Sequence, residues 1–111
     1  MTLIYKIAEQ ADWALAIAEG RYNGSADDLR DGFIHFSTEE QLQATLNKHY
    51  QGKSNLLLIA IDAETLGPDL KWEPSRGGAL FPHLYAPLPT AAISWEKPIE
   101  KNQAGENISP L

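Results

Sequence analysis

Cysteine is absent from this chain, and disulfides, thiolate metal sites and cysteine nucleophiles are excluded with it. Positive charge is scarce. Nine Lys+Arg stand against 15 Asp+Glu, and the net charge of −6 argues against broad electrostatic binding to nucleic acid. Long apolar runs are missing as well: the longest, Leu56 to Ile61, falls far short of the ~20 residues a membrane-spanning helix needs. The opening Met-Thr-Leu-Ile-Tyr-Lys has no basic stretch followed by a long apolar one, so no signal peptide is expected and the expected location is cytoplasmic.

The common catalytic signatures are also lacking. No His-Glu-x-x-His or other close ligand spacing supports a zinc site, and His35 and His83 alone are too few ligands, so no metal is expected. Neither Ser37 nor Ser75 stands in a Gly-x-Ser-x-Gly elbow, and no Gly-x-Gly-x-x-Gly opens a dinucleotide fold. Neither an internal repeat nor a low-complexity block is present.

What remains is an ordinary globular composition, 43% apolar and 22% charged over 111 residues. A chain of this size buries ~65% of its unfolded surface, enough for a single core. Acids concentrate early: residues 9–40 hold Glu9, Asp12, Glu19, Asp27, Asp28, Asp31, Glu39 and Glu40 against Arg21 and Arg30. Provided the fold separates the two halves, an anionic ligand meets least repulsion in the second. Six of the seven prolines lie between positions 68 and 98, which rules helix out of that stretch.

Thr2 to Ile7 reads as a first strand. A helix follows from Gln10 to Glu19, with Trp13/Ile17 and Ala14/Ala18 as its apolar stripe and Gly20 as its stop. The acidic Asp27–Asp31 segment reads as a surface loop. Gly32 to Ser37 is a second strand, running into Ser37-Thr38-Glu39-Glu40, a capping box with Ser37 as cap. The second helix carries Leu42, Leu46 and Tyr50 on one face and ends by Gly52. Leu56 to Ile61, apolar on both faces, is a central strand covered from both sides. Asp62 to Gly67 is one helical turn. Leu70 to Glu73 is a strand with Leu70 and Trp72 inward, Phe81 to Tyr85 an edge strand or ordered loop, and Ala91 to Trp95 the last strand. The expectation is an α+β domain over residues 1–98, two helices packed on small, mostly antiparallel sheets, with a mobile polar tail at 99–111.

Three groups of residues carry the chemistry. His35 sits mid-strand with Phe33 and Ser37 on its own face; if Ile34 and Phe36 enter the core, His35 faces a groove. A core histidine satisfied by a backbone carbonyl is the competing reading. His83, flanked at strand spacing by Phe81 and Tyr85 and bracketed by Pro82, Pro87 and Pro89, is suited to a rigid ligand lip or to finishing an edge. Glu73 projects from the core, and Arg76-Gly77-Gly78 is open enough for a phosphate-sized anion, or is a plain hairpin connection.

In this order and spacing, Ile4-Tyr5-Lys6-Ile7, Asp31-Gly32-Phe33-Ile34-His35-Phe36-Ser37, Leu70-Lys71-Trp72-Glu73 and Phe81-Pro82-His83-Leu84-Tyr85-Ala86-Pro87-Leu88 resemble the DUF952 family of small bacterial proteins of uncharacterised function. The resemblance covers about residues 2–96. It implies remote similarity to the ADP-ribosyltransferase superfamily, hence a split pair of small sheets around a cleft where relatives bind NAD. On that resemblance His35 faces the cleft, His83 and Tyr85 line it, and Glu73 matches the family's Trp-Glu pair. Where family members often carry cysteine, this chain has Phe36, on the opposite side of the strand. The implied activity is of the ADP-ribosyl type, a transferase or glycohydrolase with NAD as substrate rather than as a fixed cofactor. Glu73 and His35 would be the catalytic residues, Glu73 steadying an oxocarbenium-like ribose; His35 and Tyr85 would position ribose and nicotinamide, Arg76 would meet the pyrophosphate, and Ser37 and His83 would also bind the ligand. The alternatives are a non-catalytic nucleotide- or metabolite-binding module, and a protein whose aromatic-proline edge docks a protein partner. Neither membrane nor broad nucleic-acid binding is expected.

Overall fold

A computed structural model of the chain describes residues 1–111 apart from the Arg76 side chain. In chain order the elements are β1 (Leu3–Glu9), α1 (Gln10–Glu19), β2 (Arg21–Tyr22), α2 (Ala26–Asp31), β3 (Ile34–His35), α3 (Glu39–His49), β4 (Leu56–Asp62), β5 (Leu70–Ser75), β6 (Ala79–Leu84), β7 (Leu88–Pro89), β8 (Ile93–Lys101) and β9 (Asn107–Ile108), with 3-10 turns at Ala63–Thr65, Gly67–Asp69, Arg76–Gly78 and Thr90–Ala92. The class is α+β, and every strand pairing is antiparallel. No helix among the described residues is long and apolar enough to cross a membrane.

One sheet runs β1-β4-β8-β9 and a second β3-β6-β5, with the short β2-β7 pair apart. The larger two meet at one point, where Tyr5 and Ser37 exchange backbone hydrogen bonds of 2.8 and 2.9 Å. On one side of the four-stranded sheet Ile4, Ala8, Ile59 and Ile61 pack with Trp13 and Ala16 of α1 and with Ile34, Leu84 and Leu88. On the other, Tyr5, Ile7, Leu56, Leu58 and Ala60 meet Leu42 and Leu46 of α3. Both faces of β4 are therefore covered, which is why Leu56–Ile61 is apolar without alternation. A fully buried leucine contributes about 1.5–3 kcal/mol, so Leu42 and Leu46 anchor α3 firmly.

Local details differ from the sequence pattern. On α1 the buried residues are Trp13 and Ala16, while Ile17 is 52% exposed, because only one narrow stripe of so short a helix reaches the sheet. Asp27–Asp31 is not a loop but part of α2, closed by a reciprocal capping box in which the Ser25 hydroxyl accepts the Asp28 amide and the Asp28 carboxylate accepts the Ser25 amide. The cap of α3 is Thr38, one residue later than expected, with Gln41 Oε1 accepting the Thr38 amide at 3.0 Å; Ser37 is needed in the Tyr5 bridge instead. Trp72 points outward, 41% exposed. Phe81–Leu84 is neither edge nor loop: β6 is the middle strand, and Pro82 fits there because β3 is only two residues long and still bonds the Pro82 carbonyl through the Phe36 amide at 3.0 Å. Finally, the chain does not leave the domain at Ile99. β8 continues to Lys101 and turns back into β9, where Asn107 is buried and donates to the Tyr50 and Lys53 carbonyls beyond α3. A polar residue spent on helix-end carbonyls is invisible to a hydrophobic pattern.

Candidate functional site

The β3–β6–β5 ladder decides which side chains share a face. His35 lies directly across from His83, and His83 across from Lys71, while Ile34 pairs with Leu84 on the opposite face. Ile34 and Phe36 are buried at 3% and 2%, so alternation turns His35 out of the core, as the strand pattern predicts.

His35 is held from α2. Its Nδ1 lies 2.6 Å from Asp28 Oδ1, which also accepts the His35 amide at 3.1 Å. The other oxygen, Oδ2, accepts from Lys6 Nζ at 2.7 Å and from the Ser25 amide at 2.9 Å. Four donors thus satisfy a carboxylate that is only 2% exposed. Burial alone would raise the Asp28 carboxyl. The hydrogen bond from His35, the Lys6 ammonium and the Ser25 amide outweigh it and hold the group well below the usual carboxylate range. Lys6, buried on β1 between Ile4 and Ala8, has its ammonium pushed down by the same burial, against the pull of Asp28. The outer nitrogen of His35, Nε2, sits 3.0 Å from Asp31 Oδ2.

His83 is held from β5. Its Nδ1 lies 2.8 Å from Glu73 Oε1, and the Tyr85 hydroxyl donates to the same oxygen at 2.7 Å. These two bonds, Tyr85 first, hold the Glu73 carboxyl below its ordinary value. Phe33 ties the two units together: its ring stacks on His83 at 4.0 Å and 23°, and tilts against His35 at 4.5 Å and Tyr85 at 5.3 Å. The histidine rings themselves are 5.6 Å apart, edge to face.

Where the two sheets part beside the Tyr5–Ser37 bridge, α2 and α3 close a cleft of about 280 Å³. His35, Ser37, His83, Ser75, Tyr50 and Lys48 are among its walls. Ser37 and Thr45 share a 3.1 Å hydroxyl contact in the wall, and Lys48 has no carboxylate partner among the described residues. Asp27 and Asp31 also reach the cleft, so the acidic first half is not kept away from it as the charge distribution suggested. Among the described residues no three His, Cys, Asp or Glu side chains group as metal ligands.

Of the residues singled out from the sequence, His35, Ser37 and His83 meet in one cleft, while Glu73 and Tyr85 stand behind His83 and are not part of its lining. The Arg76 side chain lies outside the described residues; its backbone and Gly77-Gly78 form the β5–β6 hairpin turn, with both glycines at positive φ (72° and 87°). Asp28, Lys6 and Phe33 were missed. Two signals pointed to the first pair: a lysine inside an otherwise apolar strand, and Ser25-x-x-Asp28, which is itself a capping-box spacing.

A family model described as "Protein of unknown function (DUF952)" matches residues 7–96. The crystal structure of protein CC0527 from Caulobacter crescentus is 52% identical, with 96% of this chain and 94% of that one covered and a TM-score of 0.93. The solution structure of CC0527 gives 54% identity, coverage of 96% and 91%, and a TM-score of 0.85. No curated protein matches the chain.

Proposed function

We propose, from the premise that the chain belongs to the DUF952 family, that it binds a small nucleotide-type ligand, NAD or an ADP-ribose-like molecule, in the cleft between the two sheets. The main support is the convergence on one cleft of two carboxylate-oriented imidazoles and the Lys48 ammonium, which has no carboxylate partner among the described residues. The Nε2 of His83 and the Ser37 hydroxyl suit ribose hydroxyls, and the ammonium suits a phosphate. At about 280 Å³ the cleft is just below the ~300–1,000 Å³ typical of small-molecule sites, enough to enclose one nucleoside-phosphate moiety of NAD or ADP-ribose while the rest of the ligand stays outside.

Binding is better supported than ADP-ribosyl transfer. Transfer needs a carboxylate beside the ribose carbon that gains positive charge, and Glu73 is engaged by His83 and Tyr85 behind the lining. The protein-docking alternative is less favoured, since it needs an open edge at Phe81–Tyr85 and β3 pairs with β6 there at His83 and Leu84, with the Phe36 amide on the Pro82 carbonyl.

The test is a thermal-shift panel of NAD, ADP-ribose, nicotinamide and nucleotide phosphates on wild type, His35→Ala and Lys48→Ala, with nicotinamide release from NAD followed in parallel. A ligand at ~100 times its Kd adds about 2.7 kcal/mol, on the order of 10 °C for a domain this size. The expected result is a shift with NAD or ADP-ribose that either substitution reduces, without nicotinamide release. Turnover that Glu73→Gln abolishes while affinity is kept would establish transfer instead. No shift across the panel, with all three proteins folded, would overturn the nucleotide assignment.

A further inference from the structure

The two histidines are wired alike at Nδ1 and differently at Nε2. Each Nδ1 faces a carboxylate oxygen, Asp28 for His35 and Glu73 for His83. An ionised carboxylate only accepts, so each Nδ1 carries a proton. At His35 the second nitrogen is covered by Asp31 at 3.0 Å. At His83 the second nitrogen has no hydrogen-bond partner among the described residues, although the ring forms part of the cleft wall and the residue is only 6% exposed.

The orientation of His83 is set from three elements at once. Phe33, in the turn after α2, stacks on the ring and fixes its plane. Glu73, on β5, fixes the rotation within that plane by holding Nδ1, and Tyr85, just past β6, pins the Glu73 oxygen that does so. A solvated surface glutamate would need neither contact.

We infer that Nε2 of His83 is a hydrogen-bond acceptor left free for a ligand in the cleft, and that Glu73 is a positioning residue acting through His83 rather than a group that touches the ligand. The donor this acceptor would take is a ligand hydroxyl, which under the nucleotide proposal is a ribose hydroxyl; that choice of donor rests on the proposal above. Glu73 is needed because an unconstrained neutral imidazole favours the opposite tautomer, with the proton on Nε2, which would present a donor to the cleft instead of an acceptor.

The tautomer can be read directly from the imidazole nitrogen shifts of ¹⁵N-labelled protein, above the pH at which the ring is protonated. Wild type is expected to show His83 with Nδ1 protonated and Nε2 bare. Glu73→Ala should move His83 toward the Nε2-protonated form, and Tyr85→Phe, which leaves the Glu73–His83 bond in place, should largely keep the wild-type pattern. If Glu73→Ala fails to fold, Glu73→Gln serves, because a carboxamide can turn either its oxygen or its NH₂ to Nδ1 and should populate both tautomers. A wild-type His83 protonated on Nε2, or a tautomer indifferent to removal of the Glu73 carboxylate, would overturn the inference. These readouts need no ligand, so a silent thermal-shift panel would withdraw the nucleotide proposal and leave this result standing, and a wrong tautomer would withdraw this one whatever binds.

Discussion

His35 and His83 stand opposite each other on one ladder, each with a carboxylate on Nδ1, yet the two units are built on different physical terms. Asp28 is 2% exposed and takes four hydrogen bonds, one of them from a buried ammonium, whereas Glu73 keeps about a third of its surface in water and, among the described residues, takes two, with no Lys or Arg bound to it. The difference follows from desolvation. A carboxylate removed from water must be repaid by donors and an opposite charge, while one at the rim lets water do part of that work. The first unit therefore belongs to the fold as much as to the cleft, and the second can be altered with the fold intact.

The strongest way to break that contrast is Lys6→Met. Leaving Asp28 buried without its cation should cost about 3–5 kcal/mol, read as a lowered denaturant midpoint, and an equal loss from Glu73→Ala would remove the distinction. Next comes Gly24→Ala. Gly24 has φ +112°, and a Cβ there would sit 2.7 Å from Asp28 Cβ, so the capping turn must shift away from the carboxylate it helps to place. A loss of about 1–3 kcal/mol is expected, together with a changed His35 imidazole environment by NMR.

Phe33→Leu bears on both units, since that ring touches both histidines and Tyr85. Losing the stacked and tilted contacts should cost about 1 kcal/mol, and the His83 resonances should change more than those of His35, which keeps its clamp from α2. The smallest effect is the acid limb of the Glu73→Gln variant. Asp28 and Glu73 both have folded-state values below the ordinary carboxylate range, so each contributes stability that is present above that range and is lost as pH falls through it toward the folded value. Glu73→Gln should leave the midpoint at pH 7 nearly unchanged and flatten stability below about pH 4.5 only slightly, because about a third of the side chain is in solvent. Most of the acid sensitivity should remain with Asp28, to be read from urea midpoints as a function of pH.

Much of the cleft was legible before the fold was known. The alternation Phe33-Ile34-His35-Phe36 places a histidine opposite the core, and Phe81, His83 and Tyr85 share a face by the same period of two. The partners of those residues were not legible. Asp28 looked like one acid in a solvated loop because Asp27-Asp28-Leu29-Arg30-Asp31 has no apolar stripe, and its capping of Ser25 stabilises a helix that periodicity does not reveal. The bond between Glu73 and His83 was not legible either, because it depends on the β5–β6 register that sets the two side chains on one face.

The sequence by itself determined the α+β class, the central β4, the span of α1 and the absence of thiol chemistry, because those depend on composition and on periods confined to one segment. Only the tertiary structure decided that Lys6, Asp28 and His35 form one unit, that β6 is a middle strand despite Pro82, and that residues 99–108 close the domain. Each of these turns on which distant segment supplies a partner for a buried polar or backbone group. That is settled by the register of strands far apart in the chain, and no local pattern of residues encodes it.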